Sequence, residues 1–150
     1  MIKGFRGKNR WLSNFVEAEV SFQGEKYASV EHAYVAAKTQ DKELRKIIQS
    51  FATAGEAKRF GKSLDLRPNW DKMKLCVMEN LVKQKFSLPE FAEKLLATGD
   101  QEIVEENTWH DNFFGSCLCE DCGNKGENHL GKILMKVREG LNQLSLDFSK

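Results

Sequence analysis

No apolar run in this chain approaches the length of a membrane span, and its first residues lack the apolar core of a secretory signal. Those two absences point to a cytoplasmic setting. They fit four cysteines kept as reduced thiols rather than paired into a disulfide framework. Charge of one sign is missing too: 23 basic and 22 acidic residues leave a formal net charge of +1. A dedicated nonspecific nucleic-acid binder normally carries a clear basic excess, so that class is disfavoured, while a local anion site is not. There is no internal repeat and no low-complexity linker. One domain is the simplest organisation for 150 residues, a length that buries an adequate core without disulfides or metal.

What is present is a globular composition, 41% hydrophobic and 30% charged, with ten Phe and three Trp. Such rings fill cores and also build slots for flat ligands. The stretch Tyr27 to Lys38 organises the reading. Ser29 is a good N-cap, so a helix is predicted from Val30 with Glu31 in its first turn. The positive end of the helix dipole favours an ionised carboxylate there, which suits stabilisation of positive charge, a base or a nucleophile better than a general acid. Lys38 follows after roughly 700° of helical rotation and shares that face. A carboxylate and an amine on an otherwise apolar helix form either a structural ion pair or the floor of an active site.

Before that helix, Phe5 to Phe15 reads as a short strand and an irregular loop, with Trp11, Ser13 and Asn14 as either core anchor or ligand wall. Val20–Phe22 and Glu25–Tyr27 around Gln23-Gly24 predict a β-hairpin. After it, Leu44, Ile47, Ile48 and Phe51 mark a second helix, and Thr53 with Glu56 a capping box. Lys58, Lys62 and Arg67 are either solvated cations or a phosphate site. A helix is predicted from Trp70 to Phe86, with Cys76 as a buried free thiol. Ser87 to Glu90 reads as a capping box with Pro89 inside it, opening a helix that stops at Gly99. Ile103 to Glu105 fits one short strand. Asn128 is placed to cap a last helix with the stripe Leu130, Ile133, Leu134, Val137 and Leu141, and Ser145 to Lys150 is expected to fray. The loop Asn107 to Gly115 carries Trp109, His110, Asp111 and Asn112 together, too polar and aromatic for a core strand.

Cys117, Cys119 and Cys122 put three thiols within six positions, flanked by His110 and His129. Three cysteines and one histidine suit tetrahedral zinc, but the one-residue gap makes simultaneous chelation awkward. The segment is therefore read as a loop of reduced thiols; zinc and redox sensing remain as alternatives. No metal or other cofactor is expected.

Several motifs appear in order along the chain: Trp11 to Phe15, Ser29 to Tyr34, Ala36 to Lys38, Gly55 to Lys58, Asn107 to Asp111, Phe114-Gly115 and Asn128 to Arg138. The set resembles the NADAR (YbiA-like) family over residues 5–141, leaving 142–150 as a tail. The resemblance implies a mostly helical α+β single domain with a small N-terminal β-hairpin, acting as an N-glycosidase. Members hydrolyse the N-glycosidic bond of riboflavin-pathway intermediates or remove ADP-ribose from modified guanine in nucleic acid. The Cys117 to Cys122 insertion is not common to every member and shapes one pocket edge.

Breaking a ribose C1′–N bond develops oxocarbenium-like charge, which a fixed carboxylate stabilises or traps. Glu31 is the first candidate and Asp111 the second carboxylate; Lys38 or Lys58 is the candidate Schiff-base nucleophile, with Lys38 slightly preferred. Trp11, Trp70 and Trp109 are candidates for stacking on the base. Ser13 and Asn14 suit sugar hydroxyls, and Lys62 and Arg67 phosphate. Asn107, Phe114 and Gly115 complete the substrate-binding set. The expected partner is a small ribosyl phosphate or ADP-ribosyl substrate, free or carried on nucleic acid, and no membrane. Two rival readings are a non-catalytic sensor of ADP-ribose or NAD-like ligands, and a zinc-dependent nucleic-acid-binding module built on the cysteines.

Overall fold

The computed structural model describes the backbone of residues 1–149 and the side chains of residues 1–146. In chain order the elements are β1 (Ile2–Lys3), a 3-10 helix (Gly7–Leu12), β2 (Glu17–Phe22), β3 (Glu25–Ser29), α1 (Val30–Ala37), α2 (Lys42–Ser50), α3 (Ala54–Gly61), α4 (Trp70–Lys85), α5 (Pro89–Ala97), β4 (Ile103–Val104), β5 (Glu106–Asn107), β6 (Ser116–Cys117) and α6 (His129–Ser149). The class is α+β. Two compact units divide it, Ser13–Lys85 on one side and Met1–Leu12 with Phe86 onward on the other.

The Ser13–Lys85 unit is a hairpin followed by four helices. β2 and β3 pair antiparallel, with a register shift between Glu17 and Val20. Their turn is Gln23-Gly24, and both residues have positive φ (49° and 85°), the geometry that suits the twist of a two-residue hairpin. β3 runs straight into α1, where the Ser29 side chain accepts from the His32 amide as the expected N-cap. Every α1 residue except Glu31 is buried, so this short helix is held by packing rather than by its own propensity. Arg45 from α2 secures its other end, with Nε donating to the Ala36 and Thr39 carbonyls at 3.1 and 2.8 Å. α3 opens on the predicted Thr53–Glu56 capping box and closes against α1 at Gly61, where a Cβ would lie 3.0 Å from Val35 Cγ1.

α4 follows the predicted range but turns Cys76 outward; that thiol is exposed, not buried. The apolar stripe runs through Val77, Met78, Leu81 and Val82, and the next position on it is Lys85. Lys85 has no exposed surface. Its ammonium donates to the Ser13 carbonyl at 2.7 Å, and burial pushes its pKa down to about 7.

In the other unit the short strand expected at Ile103–Glu105 is present as β4, paired parallel with β1, and a second parallel pair, β5 with β6, accompanies it. The expected strand within Phe5–Phe15 is absent; the backbone there is the 3-10 helix. Trp11 packs edge-on to Phe86 (6.1 Å between centroids), and Phe86 packs in turn on Phe91 (5.9 Å). α5 has Leu88 at its N-cap with no side-chain cap bond, so Ser87 does not form the expected box; Pro89 at N1 starts the helix instead. Asn128 likewise does not cap α6 with its side chain. It reaches sideways to β4, accepting from the Glu105 amide and donating to the Ile103 carbonyl, both at 2.9 Å. α6 continues through Ser149, past the expected end of the domain and into the tail expected to fray, while Lys150 lies outside the described residues.

Lys85 generates a pH prediction. Below about pH 7 its ammonium is charged whether the chain is folded or not, and burial destabilises the fold in full. Between about 7 and the ordinary 10.5 the unfolded chain holds a proton that the folded chain releases, so stability climbs as pH rises through that window. Urea titrations from pH 6 to 10 are expected to show this climb in the parent chain. In Lys85→Met the climb should be flattened; an unchanged slope would remove Lys85 as its source.

Candidate active site

The N-terminus of α1 is fixed before any chemistry is considered. His32, almost fully buried, has Nδ1 2.7 Å from Ser29 Oγ and Nε2 3.0 Å from the Phe51 carbonyl. A carbonyl only accepts, so Nε2 carries a proton. The histidine joins the helix start to the end of α2. Next to it the Glu31 amide donates to the Asn14 carbonyl at 3.1 Å. Glu31 is the one half-exposed residue of the helix.

Lys38 stands at the C-cap of α1, with Nζ 5.5 Å from the Tyr34 ring centroid. Its pKa is lowered chiefly by burial; the Glu31 carboxylate opposes that, and the Lys58 and Lys74 ammonium groups add to it. Glu31, Lys38 and Lys58 therefore fall within one electrostatic neighbourhood, the first two as their spacing on α1 predicted and Lys58 through the packing of α3. Burial and like charges enlarge the neutral, nucleophilic fraction of an amine, and a carboxylate beside it is suited to a developing cation. Lys58 Nζ also lies 5.6 Å from the Phe15 ring centroid. The Arg67 amide donates to the Lys38 carbonyl at 2.8 Å. Arg67 Nη1 is buried without a hydrogen-bond partner among the described residues, an arrangement that favours an incoming anion. Lys62 is exposed at the end of α3. Trp70 is 5% exposed and packed on Tyr34 (5.3 Å), so within this unit it supports the site rather than lining it.

The Asn107–Gly115 loop belongs to the other unit and is held by its own polar groups. Asn107 is completely buried. Its Oδ1 accepts from the Trp109 and Asp111 amides, both at 3.2 Å, and its Nδ2 donates to Glu105 Oε2 at 3.0 Å and the Asp111 carbonyl at 2.9 Å. Asp111 Oδ1 accepts from the Phe113 and Phe114 amides at 3.1 and 3.0 Å. These side chains, expected to touch substrate or water, hold the loop. A Cβ on Gly115 would overlap the Glu105 carboxylate and carbonyl, which explains the glycine. Trp109 is left 54% exposed, while Phe114 packs edge-on to Phe113 at 4.8 Å. A surface depression of about 420 Å³ on the hairpin, lined by Glu17, Glu19, Lys26, Tyr27 and Ala28, contains none of these residues.

The NADAR domain profile matches residues 4–142. The chain belongs to the NADAR family. It is 39% identical over 141 residues to the N-glycosidase Npun_R5314 of Nostoc punctiforme, covering 89% of this chain and 86% of that one. It is 35% identical to the N-glycosidase YbiA of Escherichia coli, over 87% of this chain and 80% of YbiA. The solved structure of E. coli YbiA superposes with a TM-score of 0.82 at 31% identity, covering 97% of this chain and 86% of YbiA. A riboflavin biosynthesis protein of Vibrio vulnificus, VVA0006, is 35% identical over 89% of this chain, which spans only 36% of that protein. By these relationships this NADAR chain is a hydrolase of the N-glycosidase class.

Arg45, Lys85 and Glu105 are buried ionisable groups that the sequence reading did not place in the interior. For Lys85 a signal existed, since a lysine in step with Met78, Leu81 and Val82 lies on the apolar face. Glu105 gave none, because its burial depends on Asn107 folding back onto it. Gly115→Ala is expected to lose at least about 3 kcal/mol of stability in urea titration, because the added methyl group would displace a buried carboxylate and backbone. Gly55→Ala, a helical site with no close neighbour, should instead be neutral or gain up to about 1 kcal/mol. Equal behaviour of the two would refute the packing argument.

Proposed function

We propose that this chain hydrolyses the ribosyl C1′–N bond of a phosphorylated ribosylamino compound of the riboflavin-pathway type. The carrying observation is the desolvated Lys38 amine beside the Glu31 carboxylate on a rigid, buried helix. As the C1′–N bond weakens, the sugar gathers positive charge and Glu31 stabilises it. Neutral Lys38 adds to C1′ as the base nitrogen leaves with the amine's proton; the ribosylamine so formed opens by breaking C1′–O4′, with a proton going to O4′, and water cleaves the resulting open-chain imine, releasing the sugar and restoring the amine. Lys58 is the alternative nucleophile. Arg67, with Lys62, takes the substrate phosphate; the partnerless Arg67 nitrogen supports this role. Ser13 and Asn14 lie at the sugar. A near-neutral chain and a relative named for riboflavin biosynthesis favour the small-molecule substrate. ADP-ribosylated guanine in nucleic acid presents the same bond and is the competing substrate.

Glu31→Gln should fold normally and lose at least ~100-fold in turnover, the lower range for a group of this kind. Full activity would return Glu31 to the scaffold. Borohydride added during turnover is expected to trap a sugar adduct in the parent chain and not in Lys38→Ala. Loss of the adduct in Lys58→Ala alone would move the nucleophile to α3, and no adduct in the parent would indicate direct attack by water. Parallel assays of a ribosylaminopyrimidine phosphate and ADP-ribosylated guanine DNA distinguish the substrates. Tight binding of ADP-ribose with turnover of neither would make the chain a sensor.

A further inference from the structure

We propose that His110, Cys117, Cys119 and Cys122 form a closed, structural zinc site. Their four ligand atoms all lie within 4.8 Å of one another. His110 Nδ1 is 3.4 Å from Cys119 Sγ, 3.5 Å from Cys122 Sγ and 3.9 Å from Cys117 Sγ. A tetrahedral zinc with Zn–S of about 2.3 Å and Zn–N of about 2.0 Å has N···S edges of about 3.5 Å and S···S edges of about 3.8 Å. The observed N···S spacings bracket the first value, and no pair of ligand atoms is more than 4.8 Å apart.

The gap of one residue between Cys117 and Cys119, which argued against chelation in the linear sequence, is overcome by local folding. β6 ends at Cys117, and the chain turns so that the Cys119 amide points at Cys117 Sγ (3.5 Å). The Asn124 amide then returns to the Cys117 carbonyl at 3.1 Å and the Gly123 amide to the Cys119 carbonyl at 3.0 Å, with Gly123 and Asn124 both at positive φ. Asn112 Oδ1 accepts from the Cys117 amide at 2.9 Å. On the histidine side, Asn107 holds the amides flanking His110, which itself adopts φ +67°. That is an unfavourable conformation for a residue with a Cβ, and it is maintained where the imidazole meets three sulfurs. Both halves of the cluster are thus held by backbone and asparagine bonds, and the Cys119 amide adds an outer-shell contact to Cys117 Sγ.

Three thiolates and one imidazole select zinc among the common divalent ions. With four protein ligands no position is open for water or substrate, so the metal is structural rather than catalytic. It would tie the loop bearing Trp109 to the cysteine segment. This holds whether or not the glycosidase mechanism above is right, because the test uses no turnover.

Chain purified with a reductant and without chelator is expected to carry about one zinc per molecule by plasma emission spectrometry. Cys119→Ser combined with Cys122→Ser should lower that at least about tenfold, and Cys76→Ser should leave it unchanged. Fully reduced, metal-stripped parent chain titrated with cobalt(II) should develop thiolate charge-transfer and intense tetrahedral d–d bands. It sidesteps any folding defect in the variants. A parent chain that carries no zinc and gives no tetrahedral cobalt spectrum overturns the proposal. So does cobalt binding that survives loss of both cysteines, or iron found in place of zinc.

Discussion

Helix α1 is enclosed almost completely, and both of its ends are closed by buried polar side chains. At the start His32 bridges Ser29 and the Phe51 carbonyl; at the finish Arg45 satisfies the Ala36 and Thr39 carbonyls. A helix of eight residues has little stability alone, so those bonds and the surrounding apolar contacts hold it in place. The consequence is chemical. A carboxylate at its first turn and an amine at its C-cap are carried on this support, and partial burial in the same packing lowers the amine's pKa. Stability and the lowered pKa are here two effects of one burial.

The second unit reaches a comparable result without a helix. Asn107, wholly buried, uses both ends of its amide to hold the loop through Asp111, and Asp111 holds the next two amides. Irregular backbone away from water needs such partners, because each unpaired group would cost about 1–3 kcal/mol. Trp109, in the same loop, is more than half exposed. In the same loop His110 is turned to the sulfurs of the cysteine segment. The segment therefore shares its support with the family loop.

Much of the framework was legible along the chain. Gln23-Gly24 between alternating residues gave the hairpin, Ser29 the start of α1, Thr53 with Glu56 the start of α3, and Gly99 at φ +65° the stop after α5. Signals of this kind act over four or five residues, so sequence contains them. The misreadings share a cause. Ser87 and Asn128 both have capping side chains, yet Pro89 starts α5 without a cap bond and β4 claims the Asn128 amide group. Cys76 was assigned to the core by its residue type, but the stripe of α4 faces the other way.

Of the candidate site, spacing along α1 determined that Glu31 and Lys38 share a face, and residue chemistry determined which groups could act on a ribosyl–nitrogen bond. Only the folded chain decided that Lys38 is desolvated beside Lys58, that Arg67 retains a buried nitrogen without a partner, and that Asn107 and Asp111 hold backbone. It also decided that a histidine and three cysteines at unpromising intervals converge. Periodicity and capping are local properties of a chain. Burial, charge proximity and ligand geometry depend on segments far apart in sequence, and no pattern within one segment specifies them.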